Sequence, residues 1–461
     1  MNQIGKEKLH LLAEVIRKGF KIDESTPCVV ETVVPERLLV PDRMDIALKL
    51  YYIDAKVRGL EMEAAQGLFL RQVSAITAFT NKENGNAEKN SANCFLEVFD
   101  KLIEDFKKGC YDSSKSIIPV SDDGIILDGA HRVACAIYFH QPIEVIRFPH
   151  IKRANPDFHP GKYDYRYFQN YLLPQEDLDI AALQYAKYTQ RKLYLACLWP
   201  AATGEENREK AICKLPSVIY KKNIPISYSA FSKFVAQVYV KESWVGNIKD
   251  GFEGTDNKAI PCFKEHSELT CALFEVEEDI NAIALKEEIR NIFSIDKHSI
   301  HITDTSEDAV RLCNIVFSNN SLSILEHLSA QSLKNMSMVF EQAEEGRVLN
   351  LSTSKYLSGL SQEYTFGYVD SDRIKKRYSE NDILRDETAS FVFLGKKFIY
   401  PSKRVISKYY ETVDGRLIED QDSIFVKVVK KTTYYTALFK IKIINRLYKM
   451  VVKVRNRKRS K

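Results

Sequence analysis

Apolar positions recur three and four apart along 40–59 (VPDRMDIALKLYYIDAKVRG) and along 64–80 (AAQGLFLRQVSAITAFT), which predicts two amphipathic helices. The run 81–93, rich in Asn, Lys and Glu, predicts a loop. A third helix is predicted over 94–109, stopping at Gly109, so that residues 1 to about 110 read mainly as helices. The spacing then shortens. SIIPV (116–120) and GIILD (124–128) predict two short strands around the turn Ser121-Asp122-Asp123, followed by a helix over 130–139 and a strand over 143–148. After a helix around LDIAALQYAKYTQ, a second alternation begins. Strands are predicted at 192–199, 217–227, 269–276 and 299–302, with helices at 205–214, 229–240, 280–292 and 305–317. From about 330 to 430 the pattern is mixed.

These elements predict an α/β (α+β) multidomain protein, and 461 residues suffice for two or three domains. No run reaches the roughly 18 consecutive apolar residues that a membrane-spanning helix needs. The N-terminal stretch MNQIGKEKLHLLAEVIRKGF is amphipathic and charged, without an apolar signal core, which predicts a cytoplasmic protein. Nine scattered cysteines with no C-x-x-C pair exclude a disulfide framework or a thiolate zinc site. The net charge of +5 is unevenly placed. Residues 423–461 carry 13 Lys and Arg and no carboxylate, leaving 54 basic against 62 acidic residues elsewhere. A mildly acidic body argues against a nucleic-acid partner.

The densest chemistry is Asp128-Gly129-Ala130-His131-Arg132. A strand is expected to end at Asp128, Gly129 to make the turn, and a helix to start at once. Free N–H groups in a first helical turn favour an anion, and Arg132 and His131 would add donors. Asp128 would hold Mg²⁺ or orient a hydroxyl nucleophile. The plain alternative is that Asp128 caps the helix while His131 and Arg132 are solvated. Ile118-Pro119-Val120, Ile125 to Asp128 and Gly129 to Arg132, in that order over 94–148, resemble the ParB/sulfiredoxin superfamily. The resemblance implies nucleotide-phosphate binding by Gly129, His131 and Arg132, with Asp128 catalytic. Ala130 stands where sulfiredoxins have their cysteine, so that chemistry is not implied. For the upstream glutamate of the kinase relatives, Glu31 and Glu36 are the candidates.

A second constellation lies in EEIRNIFSIDKHSIHITDTSEDAVRLCNIVF (287–317). His298 and His301 would face opposite sides of a strand, which weakens a metal reading. The stretch resembles the active-site half of nucleoside diphosphate kinases. By that resemblance Arg290 binds phosphate, His301 is the phosphorylated histidine, and Thr303 and Asp304 follow it at the site. Trp199-Pro200-Ala201 replaces the family's Lys-Pro-Asp, Ile302 its glycine, His298 its loop asparagine and Leu312 its histidine-orienting glutamate. The fold is the better supported part of this likeness.

Neither G-x-x-x-x-G-K-[ST] nor G-x-G-x-x-G occurs. Residues 380–424 resemble the closing part of nucleotidyltransferase-like domains, without the paired aspartates such enzymes need. The whole is similar to proteins of bacterial surface-polysaccharide gene clusters. The expected order is a helical region at 1–93, a ParB/sulfiredoxin-like domain at 94–190 and a ferredoxin-like, nucleoside-diphosphate-kinase-like domain at 191–330. A smaller accessory α+β region at 331–430 and a basic amphipathic tail at 431–461 complete it. The expected function is a kinase using ATP or another nucleoside tri- or diphosphate with Mg²⁺, acting on a small hydroxylated molecule or sugar. The alternative is a nucleotide-binding scaffold or ParB-like DNA-associated protein. The tail is expected to place the chain peripherally on the anionic inner face of the membrane.

Overall fold

The computed structural model describes residues 6–328 and 388–401, apart from 60–61, 84–87, 156–159, 250 and 278–279. The expected tail, and the accessory region except for 388–401, lie outside the described residues. In chain order the first half comprises α1 (Glu14–Phe20), β1 (Val29–Val33), α2 (Met44–Arg58), α3 (Met62–Ile76) and α4 (Ala92–Lys107). It continues through β2 (Ile118–Val120), α5 (Ala130–Tyr138), β3 (Ile143–Arg147), α6 (Tyr165–Asn170) and α7 (Gln175–Tyr188). The second half contains β4 (Lys192–Leu198), α8 (Glu205–Cys213), β5 (Val218–Pro225), α9 (Tyr228–Val238) and α10 (Asp256–Cys262). Then come β6 (Glu268–Val276), α11 (Ala282–Phe293), β7 (Ile300–Ile302), α12 (Ser306–Val316), α13 (Asn319–His327), and the hairpin β8 (Thr388–Phe393) and β9 (Lys396–Pro401).

The first sheet is mixed and three-stranded, with β3 at its centre, antiparallel to β1 and parallel to β2. Strand β1 falls in a stretch that was expected to be mainly helical. Its residues VVETV are β-branched at four of five positions, which favours an extended backbone. The strand expected at 124–128 is absent. Gly124 at φ +83° closes the turn, and only a single antiparallel bridge, Val120 to Ile126, forms. The carbonyl of Ile126 is taken at 2.6 Å by Nη1 of Arg43. Toward β2, Leu127 donates to the Pro119 carbonyl, but Pro119 has no N–H to return the bond. Helix α4 starts where Ser91 accepts from the Cys94 N–H, and it buries Phe95, Phe99, Ile103 and Phe106 on one stripe.

The second sheet is wholly antiparallel in the order β5-β6-β4-β7. One face, with Tyr194, Ala196, Leu198, Ala272, Phe274, Ile300 and Ile302, packs on Ala211 and Ile212 of α8 and Ile289 of α11. The register sets Cys197 opposite both Cys271 and His301, so these side chains share the other face. That face is covered by α12 and α7.

The described residues belong to one unit, Met1–Ser402, within which α7 packs on both α2 and β5. Asp177 takes both forks of Arg71 at 2.7 Å from α3. Asp179 accepts from Lys222 at 2.6 Å and from Tyr220 at 3.0 Å, both on β5. The hydroxyl of Tyr185 donates to Glu275 on β6 and lies 3.2 Å from the carbonyl of Leu39.

Candidate functional site

Two groups of polar side chains stand out, one at the head of α5 and one at β7. At the first, Gly129 is buried at φ +92° and caps α5 without any side-chain hydrogen bond. A Cβ there would lie 2.9 Å from Nη2 of Arg132 and 3.1 Å from Cγ1 of Ile118. Only glycine fits both the space and the backbone. Arg132 turns back on its own loop, donating at 3.3 Å both to Asp128 Oδ2 and to the carbonyl of Ile117. Asp128 therefore does not cap the helix; it holds the arginine beside the turn.

His131 is partly buried rather than solvated. Its ring stands edge-on to Phe99 at 4.6 Å and to Phe69 at 5.9 Å. Its Nε2 is enclosed and has no hydrogen-bond partner among the described residues. Burial, and then the charges of Lys49, Lys89 and Arg132, hold its pKa well below the usual imidazole value. The ring is neutral at physiological pH.

Beneath the loop lies a group that periodicity did not reveal. Arg43, Asp45 and Lys49, on and just before α2, are each at most 3% exposed. Nε and Nη2 of Arg43 grip the two oxygens of Asp45 at 2.8 Å each, and its guanidinium lies 5.3 Å from the Tyr163 ring. Lys49 reaches Asp45 Oδ2 only at 3.5 Å and the Asp45 carbonyl at 3.3 Å. Gln72 donates to that same carbonyl at 2.6 Å. Burial, despite the opposing pull of Asp45, brings the Lys49 ammonium down to about 8. Asp45 falls to about 2: burial opposes its ionisation, but the adjacent cations outweigh it. The signal available in the sequence was R-x-D-x-x-x-K running into an otherwise apolar helix. Of the two candidate glutamates, Glu31 pairs with Arg147 at 2.8 Å and Glu36 with His140 at 3.3 Å.

At β7, His301 stacks on Trp199 at 6.0 Å and meets Tyr239 edge-on at 5.3 Å, with the Tyr239 hydroxyl 3.5 Å from Nδ1. Burial first, then Lys286 and Lys258 against Asp304, pushes its imidazole down to about 3. The remaining candidates of this half are largely committed elsewhere. The Thr303 hydroxyl accepts from the Leu195 N–H at 2.9 Å, extending the β4–β7 pairing. Asp304 is exposed and pairs with Lys286 at 3.0 Å, while Arg290 pairs with Glu287. Arg290 Nε and Trp199 Nε1 are enclosed without partners among the described residues. His298 sits in the turn before the strand, its Nδ1 3.7 Å from Sγ of Cys262. Asp128 and Arg132 are thus brought together, while His131 turns to Phe99 and Phe69. Lys286 pairs with Asp304 and acts on His301 by its charge.

Among the described residues no group of three or more His, Cys, Asp or Glu side chains is placed to hold a metal ion. No described helix is long and apolar enough to cross a membrane. Comparison with protein-family models, with curated proteins and with solved structures yields no match to this chain.

Proposed function

We propose that this chain is a nucleotide-dependent phosphotransferase acting on a small hydroxylated molecule or sugar intermediate, in the chemistry of bacterial surface polysaccharides. One observation carries the reading. At the head of α5 no side chain caps the first turn, and the Arg132 guanidinium stands beside Gly129, in the space that a Cβ would take. Such a turn is an anion site by construction. ATP is the expected nucleotide. Asp128 offers one carboxylate, which fits Mg²⁺ only as the usual kinase ion does, shared with substrate phosphates. When bound, the ion would neutralise charge on the transferred phosphoryl group.

Two resemblances support the reading. A central β3 flanked by β1 and β2, with D-G-x-H-R leading into α5, is compatible with a ParB/sulfiredoxin-like domain. The order β5-β6-β4-β7, with α8 and α11 on one face, suits a ferredoxin-like, nucleoside-diphosphate-kinase-like domain. For that second domain a non-catalytic role is favoured by one observation: the Thr303 hydroxyl is consumed within the sheet. A nucleotide-gated scaffold is therefore the second reading, and turnover separates the two. Purified protein titrated and assayed with ATP, ADP and CTP plus Mg²⁺ tests both. Binding with turnover supports the kinase, and binding alone supports the scaffold. Neither binding nor turnover with all three overturns the nucleotide reading. The anionic inner membrane face, reached through the basic tail, belongs to the same proposal.

A further inference from the structure

The charges below the Asp128 loop do not balance. Arg43 occupies both oxygens of Asp45 at 2.8 Å, the geometry of a saturated fork-to-carboxylate pair. Lys49 is left at 3.5 Å from one of those oxygens and is 1% exposed. Two buried cations thus share one buried carboxylate, an arrangement that is costly unless a further negative group completes it. Two more atoms beside Lys49 have unused capacity. Nε2 of His131, a ring that feels the Lys49 charge, has no partner among the described residues. The same holds for Oε1 of Gln72, whose amide shares the Asp45 carbonyl with Lys49 and whose side chain is fully buried. Lys49 calls for an anionic oxygen, whereas Gln72 Oε1 accepts only a hydrogen-bond donor.

We infer that Lys49, Gln72 and His131 form a buried subsite for an oxyanion bearing its own O–H, a hydrogenphosphate or phosphomonoester monoanion. The inference rests on the phosphate-handling reading of the Asp128 loop and names the buried cation of that site. Lys49 neutralises the anion, Gln72 takes the hydrogen of its O–H, and the unpaired Nε2 of His131 supplies a third contact. Sulfate has the same shape but carries no O–H near neutral pH, so the subsite discriminates between the two.

The test is calorimetric titration of the full chain with sodium phosphate and with sodium sulfate at about pH 6.5 and constant ionic strength. Phosphate is expected to bind about tenfold or more tightly than sulfate, because the acceptor oxygen is left unpaired by sulfate. Lys49→Met should lower phosphate affinity by about tenfold or more, with Lys49→Arg retaining most of it. Gln72→Leu should abolish the preference between the anions. The wild-type comparison needs no variant to fold. Failure of the wild type to bind phosphate, or equal affinity for both anions, overturns the subsite. So does a folded Lys49→Met protein with unchanged phosphate affinity. Parallel titration and assay with ATP and Mg²⁺ keeps the two readings apart. ATP turnover without phosphate discrimination removes only the subsite, and discrimination without ATP binding removes only the nucleotide reading.

Discussion

Gly129 is the residue whose replacement the geometry forbids most directly. An alanine Cβ would press on Ile118, which is buried in β2 and cannot yield, while the backbone holds φ +92°. Gly129→Ala is expected to cost about 1–3 kcal/mol in urea unfolding, from left-handed strain and overpacking together. It should also weaken nucleotide binding by displacing the first turn of α5. Arg132→Ala separates binding from folding. The Arg132 bonds to Asp128 and to the Ile117 carbonyl are both 3.3 Å, so their loss should shift unfolding little. Nucleotide affinity should fall by about 1.5–3 kcal/mol, the worth of a charge-assisted hydrogen bond. Unchanged affinity in the calorimeter would leave Arg132 as a brace for Asp128 alone. At β7 the neutral imidazole of His301 is in the right state to accept a phosphoryl group. If it does, acid-labile, base-stable label from γ-labelled ATP should appear in the wild type and vanish in His301→Ala.

Helix α7 ties the second sheet to α2 and α3. Tyr185→Phe removes the hydroxyl that links Glu275 of β6 to the Leu39 carbonyl, leaving the buried carboxylate to Arg191 at 2.8 Å. A loss of about 1–3 kcal/mol is expected by urea unfolding, since a buried charged acceptor loses a donor. A change below a few tenths of a kcal/mol would mean that the Tyr185 hydroxyl adds nothing to the packing of α7 on the second sheet. Elements of this kind were well legible in the sequence. The predicted helices at 40–59, 64–80 and 94–109 correspond to α2, α3 and α4, and each of the four predicted strands after residue 190 is present. Long apolar stripes and β-branched runs leave little choice of structure. The expected strand 124–128 fell short because Pro119 of β2 has no N–H to return the Leu127 bond, so pairing stops at a single bridge. The Asp128 loop was visible as a motif, but Lys49 and Gln72 were not. Periodicity assigns charged residues to solvent, and only the fold brings Arg43, Asp45 and Lys49 together in the interior.

At the scale of the whole molecule, buried ammonium groups give stability an unusual pH dependence. Lys49 and Lys233 are both brought down to about 8 by burial, whereas an unfolded lysine keeps its proton to about 10.4. Between these values an unfolded lysine binds more protons, so the contribution of these two groups to unfolding free energy rises with pH. Buried cysteines such as Cys135, Cys197 and Cys313, raised by burial, act in the opposite sense from about pH 8.5, where an unfolded thiol ionises. Buried tyrosines such as Tyr220 do so near pH 10. Between about pH 8 and pH 9.5 the unfolding free energy of the wild type should therefore gain on that of Lys49→Met as pH rises, read as the difference between their urea profiles. A difference that stays flat with pH would mean that Lys49 loses its proton no more readily than an unfolded lysine. The uneven charge along the chain leads to a second expectation. Residues 423–461, outside the described residues, carry 13 basic side chains and no acidic one, set against an acidic remainder. On a helical wheel Lys442, Arg446, Lys449 and Lys453 form one stripe, with Ile441, Ile444, Tyr448 and Val451 largely across from it. A helix so divided satisfies both faces by lying in the headgroup plane of an anionic membrane, each basic residue contributing about 1 kcal/mol. Co-sedimentation with anionic and with neutral liposomes, comparing the full chain with one ending at Thr433, measures this. Binding should need anionic lipid, weaken with salt and disappear on truncation. A full-length chain that ignores both liposomes, together with a truncated one that becomes insoluble, would instead assign the apolar arc to the protein's own core.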